Sequence, residues 1–114
     1  MKMEKNDSYY LDKIISDLSF IIEHTKDKSI EEVMSTPLLL DSVMFRLIQV
    51  SENNDKLSIE FREKNNSIPW QSIKGMRNRI VHDYGFLNSE IVKNVIMNSI
   101  PNLYLLILES YNEL

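Results

Sequence analysis

Apolar residues spaced three and four positions apart recur along this chain, and that spacing restricts it to a helical fold. The first such stripe lies between Tyr9 and Lys26 and consists of Leu11, Ile14, Ile15, Leu18, Ile21 and Ile22. A period of 3.6 residues places all six on one face of an α-helix. No segment alternates apolar and polar residues, and no Asn-Gly or Asp-Gly pair marks a hairpin. The sequence therefore predicts an all-α fold, an antiparallel bundle of about five to six helices.

Capping signals divide the rest of the chain into further helices. Ser29 and Glu32 have the spacing of a capping box, which predicts a short helix over residues 30–34. Thr36 and Pro37 mark the start of a third helix, expected to run to about residue 63 through a weak point at 53–55. After a polar loop at 64–67, helices are predicted at 70–81, from the N-cap Asn88 through 96, and at 103–113, the last started or kinked by a proline. Residues 1–8 are expected to form a tail.

Length and composition exclude several classes of protein. With 114 residues the chain is expected to form one helical domain, residues 1–114. The absence of Cys excludes disulfides, a thiolate nucleophile and a Cys-based metal site. A formal net charge of −4 argues against general coating of nucleic acid, because phosphate binding depends on Lys and Arg. The N-terminus has no apolar signal segment, and no stretch approaches about 20 consecutive apolar residues, so a cytoplasmic protein without a membrane span is expected.

Ionisable side chains are concentrated in one stretch, residues 77–84, with the sequence Arg-Asn-Arg-Ile-Val-His-Asp-Tyr. Arginine presents a forked donor that matches phosphate oxygens, and histidine can take up and return a proton near neutral pH. Arg77 and His82 would therefore suffice for metal-free RNA cleavage, in which the ribose 2′-hydroxyl attacks the adjacent phosphate. Lys74 and Arg79 add local positive charge. The alternative is that these side chains are merely solvated.

The spacing within this stretch imposes a geometric condition. On a regular helix, Arg77 and His82 diverge by about 140° because they are five positions apart. For both to act on one phosphate, either the helix unwinds near Val81 or the residues meet across a dimer axis. Two copies of the chain would also supply two copies of His82, one to act as base and one as acid.

Several large apolar residues lie off the predicted core faces. Tyr9 and Phe20 share the polar side of the first helix, and Leu38 and Phe45 point away from the core face of the third. Isolated exposed aromatic side chains are common on protein surfaces, and the alternative is a contact face for a partner. Trp70 is expected in the core.

The segment Ile68-Pro69-Trp70, followed by residues 75–84, resembles the signature of HepT-like proteins of the HEPN superfamily. The family pattern is an Arg followed directly by a polar residue, with four to six positions between that Arg and a His-x-Tyr sequence; here four residues separate Arg77 from His82. Arg77 matches the motif Arg, Asn78 the polar residue, His82 the motif His and Tyr84 the motif Tyr. The resemblance covers nearly the whole chain in helix number and order. One departure is the run at 50–53, Val-Ser-Glu-Asn, where the family often has Gly-Glu-Ala.

The resemblance implies an activity and a partner. It implies a homodimer with facing motifs and a metal-independent endoribonuclease that uses no cofactor, with Arg77 and His82 catalytic and Asn78 and Arg79 supporting or phosphate-binding. It also implies the toxin of a toxin–antitoxin pair, whose nucleotidyltransferase antitoxin transfers AMP to Tyr84. The added bulk and negative charge would block an incoming RNA phosphate. The alternative function is a non-catalytic helical module that docks a nucleotidyltransferase or binds nucleotides.

Overall fold

The computed structural model describes residues 5–114, apart from the side chain of Phe86, and this part of the chain contains helices and no strand. The helices in chain order are α1 (Asp7–Thr25), α2 (Ile30–Met34), α3 (Pro37–Asn54), α4 (Ile59–Lys64), α5 (Trp70–Asp83), α6 (Ser89–Asn94) and α7 (Ile100–Asn112). A 3₁₀ turn, Tyr84–Phe86, follows α5, and a π-helical segment, Val95–Ser99, joins α6 to α7. The prediction of an all-α fold is confirmed. Four residues of the predicted N-terminal tail lie outside the described range, and the tail ends before Asp7, where α1 begins.

Side-chain caps set most helix starts. Ser29 and Glu32 form the predicted capping box of α2, each accepting a hydrogen bond from the other's backbone N–H. Asn88 caps α6 as expected by accepting from the Ile91 N–H. Thr36 precedes Pro37 at the start of α3, but its hydroxyl donates to the Glu32 carbonyl instead of capping the new helix.

The predicted third helix is wrong in its length, because α3 ends at Asn54 and a separate α4 follows. Ser58 accepts a hydrogen bond from the Phe61 N–H and so begins α4. Its own N–H and hydroxyl donate to the Asp7 carboxylate of α1, at 2.8 and 2.7 Å. The Asn-Asn-Asp run favours a helix end, and this contact with α1 stabilises it.

The predicted fifth and sixth helices form one continuous helix, Ser89–Asn112. Proline lacks the N–H that would bond four residues back, and a π-turn accommodates such a gap. The π segment ends just before Pro101, where the Ile100 N–H bonds to the Val95 carbonyl. By its length, and by a mean hydropathy of 1.4 over an 18-residue window, this helix would be able to cross a membrane, a test that core helices also meet. Its residues Ile100 and Ile107 belong to the buried core.

The core lies where α1 packs against α3 and α7, and α3 in turn packs against α5. The fully buried side chains include Leu11, Ile14, Leu18, Ile21, Val43, Val50, Ile100 and Ile107. Burial of each such side chain stabilises the fold by roughly 1.5–3 kcal/mol relative to exposure. The stripes that predicted the helices thus also form the core that α5 packs against.

The off-stripe aromatic residues of α1 have partners within the chain. The Arg46 guanidinium lies 3.9 Å from the Phe20 ring centroid and donates to Asp17 at 2.9 Å. Tyr9 makes an edge-to-face contact with Tyr10. Trp70 is partly buried against the core, as expected, and its indole N–H donates to a backbone carbonyl. None of these contacts requires another protein.

Candidate active site

Two side-chain hydrogen bonds join α5 and the turn after it to α3, which runs antiparallel to α5. The Arg77 Nε donates to Glu52 Oε1 at 3.0 Å, and the Tyr84 hydroxyl just beyond α5 donates to Asp41 Oδ1. The residue numbers rise from Arg77 to Tyr84 along α5 and the turn after it, while those of their partners on α3 fall from Glu52 to Asp41. The two helices are therefore antiparallel. These bonds place the 77–84 stretch on the outside of the bundle, with α3 beneath it.

Arg77 is held in place on both sides of its guanidinium. Nε is bound to Glu52, and Nη1 donates to Asn78 Oδ1 at 3.2 Å. The side chain remains 33% exposed. Among the described residues, no acceptor forms a hydrogen bond with Nη2 of Arg77. A phosphate oxygen can therefore approach that part of the guanidinium group. Asn78 therefore has a supporting contact to the motif arginine in this chain.

His82 lies on a different side of the same helix. The backbone of α5 leaves helical geometry only at Asp83, where φ is −138° and ψ is 34°. The helix therefore does not unwind near Val81, and that alternative is wrong. His82 is exposed, and the five-position spacing directs it about 140° away from Arg77. One chain therefore does not bring the two predicted catalytic side chains together.

Tyr84 is also separated from Arg77 within one chain. Its hydroxyl is bound at the level of Asp41, eleven residues from Glu52 on α3, which corresponds to about 16 Å along the helix axis. Three effects raise the pKa of Tyr84 to about 12: partial desolvation of the phenol, which is the largest, the hydrogen bond to Asp41, and the negative charge of that carboxylate. The hydroxyl thus stays protonated near neutral pH and acts as a donor.

Two further basic residues of α5, Lys74 and Arg79, spread around the helix. Lys74 and Arg79 are both exposed. Arg79 lies two positions from Arg77, about 200° around the helix, and lines a groove of about 640 Å³ beside α6 and α7, together with Ile73 and Met76. Arg77 and Arg79 therefore cannot bind the same phosphate from one chain. Within residues 5–114 no three His, Asp or Glu side chains are grouped so that they could hold a metal ion.

An exposed apolar patch, Leu38, Phe45 and Val81, lies near the Tyr84 end of the motif. These side chains are 82%, 58% and 46% exposed, respectively. Leu38 and Phe45 line a groove of about 690 Å³ on α1 and α3, and the same groove contains Asp41. Val81 precedes His82 in the sequence. Leu38 and Phe45 therefore lie beside the carboxylate that binds Tyr84, and Val81 is next to the exposed histidine in the chain.

Asp41 and Glu52 are the site residues that sequence reasoning missed. The sequence drew attention to Glu52 only within the run at 50–53 that departs from the family pattern, and it predicted no role for Asp41. Their spacing of eleven residues places both on one face of α3, since eleven residues complete just over three full turns. Two carboxylates on one helix face are a signal, but the sequence does not show that this face meets the motif.

Comparison with known proteins identifies relatives over most of the chain. The family model described as Ribonuclease HepT-like matches residues 14–109, which include the whole motif. A protein of Caldanaerobacter subterraneus subsp. tengcongensis, named as a candidate RNase, is 35% identical over 94 residues, covering 82% of this chain and 84% of the relative. A protein of Thermococcus cleftensis, named as a probable ribonuclease HepT, is 22% identical over 101 residues, covering 89% of this chain and 92% of the relative.

A third relative combines two activities in its name. This Methanocaldococcus jannaschii protein, named as a gamma-glutamylcyclotransferase and candidate RNase, is 33% identical over 112 residues. The match covers 98% of this chain but only 50% of the relative. No solved structure matches the chain significantly.

Proposed function

The chain belongs to the HepT-like ribonuclease family, and from this we propose that it is a metal-independent endoribonuclease whose cleft forms between two copies of the chain. The observation that carries the proposal is the divergence of Arg77 and His82 on a helix that stays regular through both. One chain offers an arginine fork on one side of α5 and an exposed histidine on another. A second copy related by a two-fold axis can supply the missing partner to each.

The apolar patch favours a second copy as the molecule that completes the site. Leu38, Phe45 and Val81 are exposed in the single chain. Large apolar side chains grouped on a surface are typical of interaction sites, because burying them removes them from water. Since the patch adjoins His82 and the Tyr84 contact, a dimer that buries it would bring two motifs to one cleft.

The proposed reaction requires no protein nucleophile. The ribose 2′-oxygen attacks the adjacent phosphorus and the bond to the 5′-oxygen breaks, leaving a cyclic phosphate and a free 5′-hydroxyl. One copy of His82 takes the proton of the 2′-hydroxyl and the other donates a proton to the departing oxygen. Arg77 binds the phosphate through the part of its fork that Glu52 and Asn78 leave free. Arg79 would contact the phosphate of a neighbouring nucleotide.

We further propose that the chain is the toxin of a toxin–antitoxin pair. Its antitoxin would be a small nucleotidyltransferase that transfers AMP from ATP to the Tyr84 hydroxyl. Tyr84 is 38% exposed and lies two residues from His82, so an attached nucleotide would place bulk and negative charge at the proposed cleft. Such a group would repel the RNA phosphate and silence the enzyme.

RNA cleavage by the purified protein tests the proposal. With EDTA present, unmodified protein should cleave RNA, transfer RNA included, to products that end in a cyclic phosphate. Arg77→Ala and His82→Ala should each abolish cleavage and leave the dimer folded. His24→Ala is the matched control, because this exposed histidine lies on α1 and contacts Phe20 of its own helix, through the backbone carbonyl and by ring stacking. Absence of cleavage across several RNAs would overturn the proposal, and partner binding that survives His82→Ala without RNA turnover would favour the interaction module.

A further inference from the structure

The Tyr84 hydroxyl is bound by a carboxylate from another helix. Tyr84 lies in the 3₁₀ turn after α5, and its hydroxyl donates to Asp41 Oδ1 near the start of α3, 43 residues away in sequence. Asp41 is exposed, and it lies in the groove that contains Leu38 and Phe45. The proposed modification site is therefore a phenol whose hydroxyl already donates a hydrogen bond to a solvent-accessible carboxylate.

We propose that Asp41 positions the Tyr84 hydroxyl for nucleotidyl transfer and accepts its proton during the reaction. This inference rests on the proposed modification of Tyr84 by a nucleoside triphosphate. In the step, the Tyr84 oxygen forms a bond to the α-phosphorus, and the bond from that phosphorus to the pyrophosphate oxygen breaks. Pyrophosphate leaves with the electron pair, and the hydroxyl proton passes to Asp41 Oδ1.

The surrounding charges identify Asp41 as the base. The groove beside Asp41 also contains Lys13, Asp17 and Arg46, and the last two are paired with each other at 2.9 Å. His82 and Asp83 are the nearest titratable groups in sequence on the α5 side, but the hydroxyl donates to neither. Among the described residues, Asp41 is the carboxylate in direct contact with the reacting oxygen.

The state of the phenol makes a proton acceptor necessary. Burial and the Asp41 contact raise the pKa of Tyr84 to about 12, compared with 10.0 for an ordinary tyrosine. Two pKa units reduce the phenolate population near neutral pH by about 100-fold, so a route through free phenolate is strongly disfavoured. A positioned general base avoids this route by taking the proton as the new bond forms, and such bases accelerate reactions by about 10²- to 10⁴-fold.

The modified Tyr84 cannot keep the hydrogen bond to Asp41 that the free hydroxyl makes. Once the tyrosine oxygen is bonded to phosphorus it has no proton to donate, and the attached phosphate carries a negative charge beside the Asp41 carboxylate. Like charges at this distance repel, so the modified side chain should leave α3. Asp41 would thus hold the acceptor before transfer and release it afterwards.

Acetylation of tyrosine hydroxyls by N-acetylimidazole tests the role of Asp41 directly. The rate at Tyr84 would be read by peptide mass spectrometry between pH 7 and 9, with Tyr9 as the internal reference. Wild-type protein, Asp41→Asn and the exposed control Asp55→Asn would be compared after circular dichroism has shown that each is folded. The reaction needs neither RNA nor a nucleotidyltransferase.

A base at Asp41 predicts both the rate and its dependence on pH. Wild-type Tyr84 should react at least about tenfold faster than Tyr84 of Asp41→Asn at pH 7.5, at a rate nearly independent of pH. In Asp41→Asn the rate should rise about tenfold per pH unit, because only phenolate then reacts. Asp55→Asn should behave as wild type.

Three other outcomes of this experiment would overturn the proposed role of Asp41. If Asp41→Asn reacts faster, by up to about 100-fold, Asp41 only suppresses ionisation of the phenol. Equal rates, or no acetylation of Tyr84 in either protein, would mean that Asp41 does not prepare the hydroxyl for transfer. Fast acetylation in wild type combined with absence of AMP on Tyr84 in cells would refute the proposed regulation and leave the chemistry of Asp41 standing.

Discussion

Replacing Glu52 by alanine is expected to loosen Arg77 without unfolding the chain. Glu52 accepts from the Arg77 Nε at 3.0 Å, and the two side chains are 44% and 33% exposed. A pair this open to solvent contributes roughly 0.2–1 kcal/mol to stability, because water and salt screen its charges. For a domain of this size the melting temperature should therefore fall by only about 1–5 °C.

The effect on cleavage should exceed what this small loss of stability suggests. Without Glu52, the arginine side chain must be ordered again each time an RNA phosphate binds. Ordering one flexible side chain costs about 0.5–1.5 kcal/mol, which corresponds to a loss of about two- to twelvefold in kcat/KM. Glu52→Gln should lose less, since its amide oxygen can still accept from Nε.

The assay compares cleavage of one fluorescent RNA by wild type and four variants, one of which is Arg77→Ala as the inactive reference. Wild type, Glu52→Gln and Glu52→Ala would be measured together with the control Glu23→Ala. In the wild type the Glu23 carboxylate pairs with Lys26 at 3.2 Å, at the end of α1. Both kcat/KM and melting temperature are recorded for each. Glu23→Ala should retain wild-type cleavage, which separates the loss of a surface ion pair from the loss of a contact to Arg77.

Two results would refute the reasoning. If Glu52→Ala cleaves as fast as wild type while Arg77→Ala is inactive, Glu52 does not position the arginine. If Glu52→Ala is as inactive as Arg77→Ala and remains folded, the glutamate acts in the reaction itself and not through Arg77. A lower kcat/KM for Glu52→Gln than for Glu52→Ala would also contradict the reasoning, because the glutamine should lose less activity.

Three other perturbations have defined outcomes. Phe45→Glu should shift the protein toward monomer in sedimentation velocity and reduce cleavage, whereas Leu105→Glu, similarly exposed on α7, should do neither; a stable Phe45→Glu dimer would argue against the apolar patch as the interface. From pH 10 to 12 the unfolded chain loses the Tyr84 proton and the folded chain, with the Tyr84 pKa at about 12, retains it. Wild-type melting temperature should therefore fall more steeply over this range than that of Tyr84→Phe, with solvent screening keeping the loss well below about 1.4 kcal/mol per pH unit. Ile107→Ala, at a fully buried position, should lower the free energy of unfolding in urea by about 2–5 kcal/mol, compared with about 0.5 kcal/mol or less for the exposed Leu105→Ala.

Helix positions followed from the sequence where local interactions decide them. The apolar stripe of α1, the capping box of α2 and the Asn88 cap of α6 all act over at most a few residues, and each appears in the structure as expected. The predicted boundaries were wrong where distant contacts or the whole helix matter. The end of α3 is stabilised by Asp7, 51 residues from Ser58, and the join of α6 to α7 depends on a π-turn before a proline.

The motif itself was also determined by the sequence, together with the condition that its members diverge. Arg77 and His82 are five positions apart, and helical geometry alone separates them by about 140°. Only the tertiary structure decided which alternative holds for α5, because the helix remains regular through both residues. It also decided the partners of the motif on α3, Glu52 for Arg77 and Asp41 for Tyr84, at separations of 25 and 43 residues. Spacing along one helix fixes the direction of each side chain, whereas the register between two packed helices fixes what that side chain meets, and register depends on the whole core.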